Sequence, residues 1–229
     1  MTAREGKLVS MAAAVGVALP SSIASMTDEE WAAHDARVAA DRARFAAGDR
    51  STRDAERRDA LLDAGFPRRA LDEESTADES KSAIARVRDW LEAPEGVLVI
   101  AGTRGCGKTV AATWWAMSIA ALSVFVRAAT FAASSRYDRD ERAVWLKAPA
   151  LVLDDLGMEF LDAKGSFLVD LDELIDVFYS DRKPLLVTTN CKREVFRERY
   201  GERIADRIRE CGAFFGIADG SLRSKQAVR

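Results

Sequence analysis

Short apolar runs alternate with amphipathic segments along most of this chain. The apolar runs have the length and the β-branched content typical of buried strands, and they lie at residues 97–100, 123–126, 150–153, 185–187 and 213–217. Helical patterns separate them, at residues 111–121, 139–147, 167–180 and 193–210. Strands that alternate with helices form a parallel sheet covered by helices on both faces. The pattern therefore predicts an α/β fold.

The segment ahead of the first strand has a different pattern. From Thr27 to about Gly65 the sequence is rich in alanine, arginine and aspartate. Its sparse apolar residues Trp31, Val38 and Phe45 recur at every seventh position. Such spacing predicts a charged helix whose apolar stripe either packs on the rest of the chain or binds a partner protein.

A domain boundary is predicted where this helical pattern stops. Gly65, Phe66 and Pro67 end the pattern, and residues 72–79 form an acidic stretch typical of a linker. A further helix over residues 80–92 leads into the first strand. We therefore expect a small helical, partner-binding region at 1–70, whose start could be disordered, and a main domain at 71–229.

Composition and charge narrow the class of protein. The 229 residues include 34 lysines and arginines against 37 aspartates and glutamates, a formal net charge of −3, so any contact with nucleic acid is a local patch. The cysteines Cys106, Cys191 and Cys211 form no C-x-x-C pair, so neither a zinc site nor a disulfide framework is predicted. Residues 9–19 resemble a weak signal peptide but are too short to span a bilayer. A cytoplasmic protein without membrane contact is the preferred interpretation.

The candidate chemistry begins where the first strand ends. The sequence there has the P-loop spacing G-x-x-x-x-G-K-[ST] between a strand and a helix. The backbone N–H groups of such a loop bind the phosphates of ATP, together with the N-terminus of the helix. Lys108 would reach the β- and γ-phosphates, and the hydroxyl of Thr109 would bind Mg²⁺. The predicted nucleotide-binding residues of this loop are Gly102, Thr103, Arg104, Gly105, Cys106, Gly107, Lys108, Thr109 and Val110.

Polar residues also end the third and fourth predicted strands. Ligands of parallel sheets bind at the carboxyl ends of the strands. Asp154 is predicted to hold Mg²⁺, and Asp155 to orient the attacking water. Because Asp155 is shorter than glutamate, slow hydrolysis is expected. Asn190 could fix that water or contact the γ-phosphate, although each of these polar pairs taken alone could equally be a turn or a helix cap.

In this order, these motifs resemble the DnaC/DnaI-type helicase loaders, a branch of the AAA+ ATPases that also contains the IstB transposition helpers. The resemblance rests on residues 102–109, 153–157, 187–190, 201–208 and 221–223. It implies an AAA+ P-loop fold, and it makes Asn190 the sensor I residue. Because only a few residues follow Arg223, no helical lid is expected. It also implies that Arg207 is an arginine finger acting on a neighbouring subunit, with Arg203 as a second candidate. Arg223 would be the sensor II-like arginine at the nucleotide.

The same resemblance implies an ATPase that grips a hexameric replicative helicase and places it on single-stranded DNA as an ATP-dependent oligomer. Two features depart from these loaders: the N-terminal region has no cysteines for a DnaI-type zinc domain, and it has no match to the helicase-binding helix of DnaC. An IstB-like transposition helper and a nucleotide-switched adaptor with little hydrolysis remain alternatives. Single-stranded DNA could contact Arg127, Phe131, Arg136 and Tyr137, unless Phe131 belongs to the core.

Overall fold

The computed structural model describes residues 27–77, 82–91, 96–137, 139–159 and 165–217. The chain divides into two compact units, Met1–Ala55 and Glu56–Arg229. Helix α1 (Asp28–Asp63) carries the chain from the first unit into the second. It begins with a capping box, because the Glu30 amide donates to the Thr27 hydroxyl at 3.3 Å while the Thr27 amide donates to the Glu30 carboxylate at 2.7 Å.

Five parallel strands form the sheet of the larger unit. They are β1 (Val97–Gly102), β2 (Ser123–Arg127), β3 (Ala150–Leu156), β4 (Leu185–Thr189) and β5 (Ala213–Ile217). Their spatial order is β2-β3-β4-β1-β5. Because β1 lies between β4 and β5 and not beside β2, the loop that follows β1 lies where the strand order reverses, the position at which α/β sheets bind ligands.

Helices cover both faces of this sheet, which confirms the predicted α/β fold. They are α2 (Arg68–Glu74), α3 (Ser82–Leu91), α4 (Lys108–Ser118), α5 (Ala128–Tyr137), α6 (Arg139–Lys147), α7 (Ser166–Ser180), α8 (Arg193–Tyr200) and α9 (Glu202–Cys211). Alternate residues of β1 belong to different cores: Val97 and Val99 pack with residues of α5–α9, whereas Leu98 and Ile100 pack with residues of α1–α4. All four side chains are fully buried, as expected for a strand covered on both sides.

Two sequence-based expectations about helices were wrong. The single basic helix predicted over 193–210 is interrupted at Gly201, whose φ of 90° and ψ of 160° are not helical, and α9 begins at the next residue. The acidic linker predicted over 72–79 is helical at its start, since α2 runs to Glu74. Leu71 anchors this helix in the core, and its carbonyl accepts a 2.7 Å hydrogen bond from the Arg58 guanidinium.

Residues 56–70 belong to the larger unit and pack with its other elements. Leu61 is fully buried, and the ring of Phe66 lies 5.2 Å from that of Phe125. Arg57 donates to the Ala116 and Ala121 carbonyls at the end of α4, at 2.6 and 2.7 Å. The two compact units divide between residues 55 and 56; the functional domain boundary between residues 70 and 71 stays a prediction. The partner-binding role of the N-terminal region stays a prediction.

Residues 1–26, which include the segment that resembles a signal peptide, lie outside the described residues. Within the described ranges, no helix has the length and apolar character needed to cross a membrane.

A glycine between α9 and β5 provides a test of this packing. A Cβ atom added to Gly212 would collide with the carbonyl group of Val97, lying 2.7 Å from its carbon atom. We expect Gly212→Ala to lower the free energy of unfolding by about 1–3 kcal/mol, the usual cost of overpacking. Thermal denaturation should show the midpoint falling by roughly 2–4 °C per kcal/mol for a protein of this size.

Gly216→Ala is the matched control, because a Cβ atom at this position in β5 would have no neighbour within 4 Å. Equal midpoints for the two variants would contradict the close approach of Gly212 to β1.

Candidate active site

A cavity of about 590 Å³ opens at the carboxyl ends of β1, β3 and β4. One wall consists of the loop after β1 and the first turn of α4, residues 104–110, with Asp154, Asp155 and Asn190 beside it. A further part of the lining comes from α2, α3 and the segments next to them, and it mixes apolar with polar and charged residues: Pro67, Arg69, Ala70, Glu73, Thr76, Ala77, Ala83 and Ile84. The cavity therefore combines polar residues at the strand ends with a mixed lining from the helices that precede β1.

Lys108 lies at the centre of the loop. It opens α4, directly after Gly107, which has a φ of 91°. Its ammonium group donates to the carbonyls of Gly102 at 2.9 Å and Thr103 at 3.0 Å. A third hydrogen bond, of 2.9 Å, goes to the side-chain oxygen of Asn190 at the end of β4. The structure thus brings together Lys108 and Asn190, two residues that the sequence placed in one site.

A second contact links α4 to β3. The hydroxyl of Thr109 donates to the carboxylate of Asp154, with distances of 3.1 and 3.2 Å to its two oxygens. Thr188 of β4 donates to the same carboxylate at 2.7 Å. Burial raises the pKa of Asp154, while the hydrogen bonds from Thr188 and Thr109 act in the opposite direction. A hydroxyl and a carboxylate side by side are hard oxygen ligands, so this pair fits Mg²⁺.

The two aspartates form a β-bulge in β3. Leu153 pairs with Val187 and Leu156 pairs with Thr189, so Asp154 and Asp155 both oppose the single residue Thr188. Asp155 has a φ of 58°, and its amide donates to the Thr188 hydroxyl at 2.9 Å. As a result Asp154 is buried, whereas Asp155 is exposed and lines the cavity. This is the difference expected between a metal ligand and a residue that contacts water.

The predicted arginines lie elsewhere. Arg207 is not among the described residues that line the cavity; its guanidinium pairs with Asp172 at 3.0 Å and Asp176 at 2.5 Å on α7. The Arg203 guanidinium lies 3.4 Å from Asp172, and its side chain is 68% exposed against 17% for Arg207. Arg223 falls outside the described residues.

The residues suggested to contact DNA have different surroundings in the structure. Phe131 is fully buried, with its ring 5.4 Å from that of Trp145. Phe131 therefore belongs to the core, and the suggestion that a DNA base stacks on it is wrong. Arg127 lines the cavity, and the side chains of Arg136 and Tyr137 lie outside the described part of the structure.

The sequence assigned no role to Thr188 and offered Glu159 only as a substitute for Asp155 in hydrolysis. Thr188 bridges the two aspartates, and its signal is a pair of threonines at the end of an otherwise apolar strand. Glu159 is buried beside Arg199 and Tyr200, 40 residues further along the chain. Arg104 of the loop contacts this region too, with its guanidinium 3.2 Å from the sulfur of Met158.

Comparisons with models of known protein families and with the sequences of curated proteins give no match. Solved structures do match. A DnaC helicase loader superposes with a TM-score of 0.56 at 21% identity, over 66% of this chain and 99% of that one. DnaI gives 0.50 at 20% identity, over 63% and 89%. The AMPPCP-bound DnaA of Aquifex aeolicus gives 0.51 at 19%, over 65% of this chain and 50% of that one. At these identities the likeness shows the fold alone: the chain has the α/β fold seen in the DnaC, DnaI and DnaA structures.

Proposed function

We propose that this protein is an ATPase of the helicase-loader type, which binds a replicative helicase and places it on single-stranded DNA. The observation that carries the ATPase part is the convergence of Lys108, Thr109, Asp154 and Asn190 at one cavity. The loader part rests on the likeness in fold to the DnaC helicase loader and on the motifs shared with such proteins.

Each residue of the cavity has a task in this proposal. Lys108 would exchange the carbonyls of its own loop for phosphate oxygens, since an ammonium group binds the more negative acceptor more strongly. Thr109 and Asp154 would hold Mg²⁺, which supplies positive charge to the phosphates. Asp155 would accept a proton from the attacking water, and Asn190 would orient that water. The apolar side chains among the lining residues of α2 and α3, such as Ala70 and Ile84, would contact the base.

A nucleotide-switched adaptor with little hydrolysis is the second candidate. The observation that favours it is Asp155, whose carboxylate has one methylene less than glutamate and is carried on a backbone with a φ of 58°. A residue with this reach and geometry suits slow turnover. In that case ATP binding alone would change the assembly state, and the rate of hydrolysis would matter little.

The first experiment addresses nucleotide binding. Lys108→Ala should abolish ATP binding in an equilibrium titration, because it removes the cation at the centre of the loop. Lys147→Ala is the matched control, since Lys147 is an exposed lysine in the last turn of α6. If Lys108→Ala bound ATP with the affinity of the wild type, the assignment of this cavity would be wrong.

The loader function is tested with the replicative helicase of the same genome. The wild-type protein with ATP should increase the amount of helicase retained on circular single-stranded DNA, and Lys108→Ala should not. Retention that does not depend on the protein would refute the loader function but leave the ATPase assignment intact.

The next prediction concerns hydrolysis. Asp155→Asn should bind ATP as the wild type does but turn it over about 10²-fold more slowly, the scale of a lost general base. Single-turnover measurements provide the test. Asp89→Asn, at an exposed aspartate of α3, is the control. Unchanged single-turnover hydrolysis in Asp155→Asn would move the catalytic role to another residue and would favour the adaptor.

The role of Arg207 is tested by mixing subunits. Arg207→Ala should bind ATP but fail to hydrolyse it, and mixing with Lys108→Ala should restore part of the activity. The mixture can form interfaces in which an intact P-loop faces an intact Arg207, although neither variant alone can. Mixed-subunit ATPase rates on single-stranded DNA are the measurement.

Arg209→Ala is the control on the same helix, because the side chain of Arg209 is 76% exposed and pairs with Asp206. If Arg207 serves only its own chain through Asp172 and Asp176, no mixing ratio of co-assembling variants will restore activity.

A further inference from the structure

Glu159 lies four residues beyond Asp155, and its side chain is completely shielded from solvent. One carboxylate oxygen accepts hydrogen bonds from Arg199, with 3.1 Å to Nε and 2.9 Å to Nη2, and from the Tyr200 hydroxyl at 2.8 Å. The other oxygen accepts from the amide of Gly157 at 2.6 Å. Among the described residues, the donors to this carboxylate therefore come from the turn after β3 and from the last turn of α8.

A carboxylate this deep is costly to bury, and its ion pair with Arg199 offsets that cost only where the hydrogen bonds are well placed. Here they are. Arg199 also donates to the backbone carbonyl of Glu159 at 3.1 Å, so the guanidinium holds both the side chain and the main chain. Burial and the neighbouring Glu159 carboxylate raise the pKa of Tyr200, so its hydroxyl remains a donor. The cluster fixes the end of the turn to α8.

The other end of the turn is fixed to β4. The amide of Asp155 donates to Thr188, and the carbonyl of Asp155 accepts from the amide of Met158 at 3.1 Å. Asp155 itself has a left-handed backbone conformation, with a φ of 58°. A non-glycine residue keeps such a conformation only where the surrounding structure imposes it. The hydrogen bond from Gly157 to Glu159 therefore connects the turn that begins at Asp155 with Arg199 and Tyr200 on α8.

We propose that Glu159, clamped by Arg199 and Tyr200, is a positioning residue that holds the turn in the conformation that presents Asp155 to the cavity. This inference rests on the proposed ATPase function. Glu159 does not line the cavity among its described residues, so it acts through Asp155 and not on the nucleotide. The clamp also ties the turn to the helix that immediately precedes the arginine-bearing α9.

Turnover measurements test the clamp. Glu159→Gln and Tyr200→Phe should each lower kcat about 10-fold, the usual effect of losing a partner that orients a site residue, while the Kd for ATP stays at the wild-type value. Glu198→Gln, at an exposed position of α8, is the matched control and should have the kcat of the wild type. Thermal denaturation checks each variant for folding. If Glu159→Gln does not fold, Tyr200→Phe decides, because it removes one hydroxyl and keeps the ring.

A double-mutant cycle separates positioning from general stability. Because Glu159 acts through Asp155, Glu159→Gln should cause no further loss of single-turnover rate in an Asp155→Asn background. A 10-fold loss that persists in that background would overturn the proposal. So would a folded Glu159→Gln protein with the kcat of the wild type.

Hydrogen exchange provides a readout that does not need hydrolysis. In Glu159→Gln the amides of residues 155–159 should exchange about 5-fold faster or more, the factor for losing roughly one hydrogen bond. Unchanged exchange would overturn the positioning role. A wild-type protein that hydrolyses no ATP would instead refute the proposed function, and hydrogen exchange would still decide whether Glu159 holds the turn.

Discussion

The candidate site depends on one extra residue in the ladder between β3 and β4. In a regular strand, consecutive side chains point to opposite faces of the sheet, and each residue opposes its own partner on the neighbouring strand. The bulge places both Asp154 and Asp155 opposite Thr188. The hydroxyl of Thr188 then donates to the carboxylate of Asp154 and accepts from the amide of Asp155. One side chain thereby holds a buried carboxylate and the backbone of an exposed one.

The same bulge explains why the neighbouring polar groups are so heavily bonded. Asp154 is almost completely buried, and a buried carboxylate is stable only with donors around it. Thr109 and Thr188 provide those donors from α4 and β4. Lys108 satisfies its own charge with loop carbonyls and Asn190. These contacts connect the ends of β1, β3 and β4 through side chains. A movement of the loop after β1 would therefore also displace side chains at the ends of β3 and β4.

The arginines of α9 illustrate a different constraint. Arg203 and Arg207 face the acidic helix α7 in the same chain, where Asp172 is shared between them. If Arg207 also serves a neighbouring subunit, phosphate must compete with Asp172 and Asp176 for its guanidinium. Phosphate can do so because it carries more negative charge and accepts a bidentate pair of hydrogen bonds. Assembly of the subunits would then be coupled to the release of Arg207 from its ion pairs with α7.

The sequence by itself determined the α/β class, the positions of the five strands along the chain, and the residues at three strand ends, because these follow from local apolar periodicity and from the spacing of glycines, lysine and carboxylates. It did not determine the helical start of the acidic segment after Pro67, where burial of Leu71 decides the structure. It also gave no role to the contact of Glu159 with Tyr200, 41 residues apart. Such contacts depend on strand order, on the bulge and on where α8 packs. These are properties of the assembled sheet, which no local pattern of residues encodes.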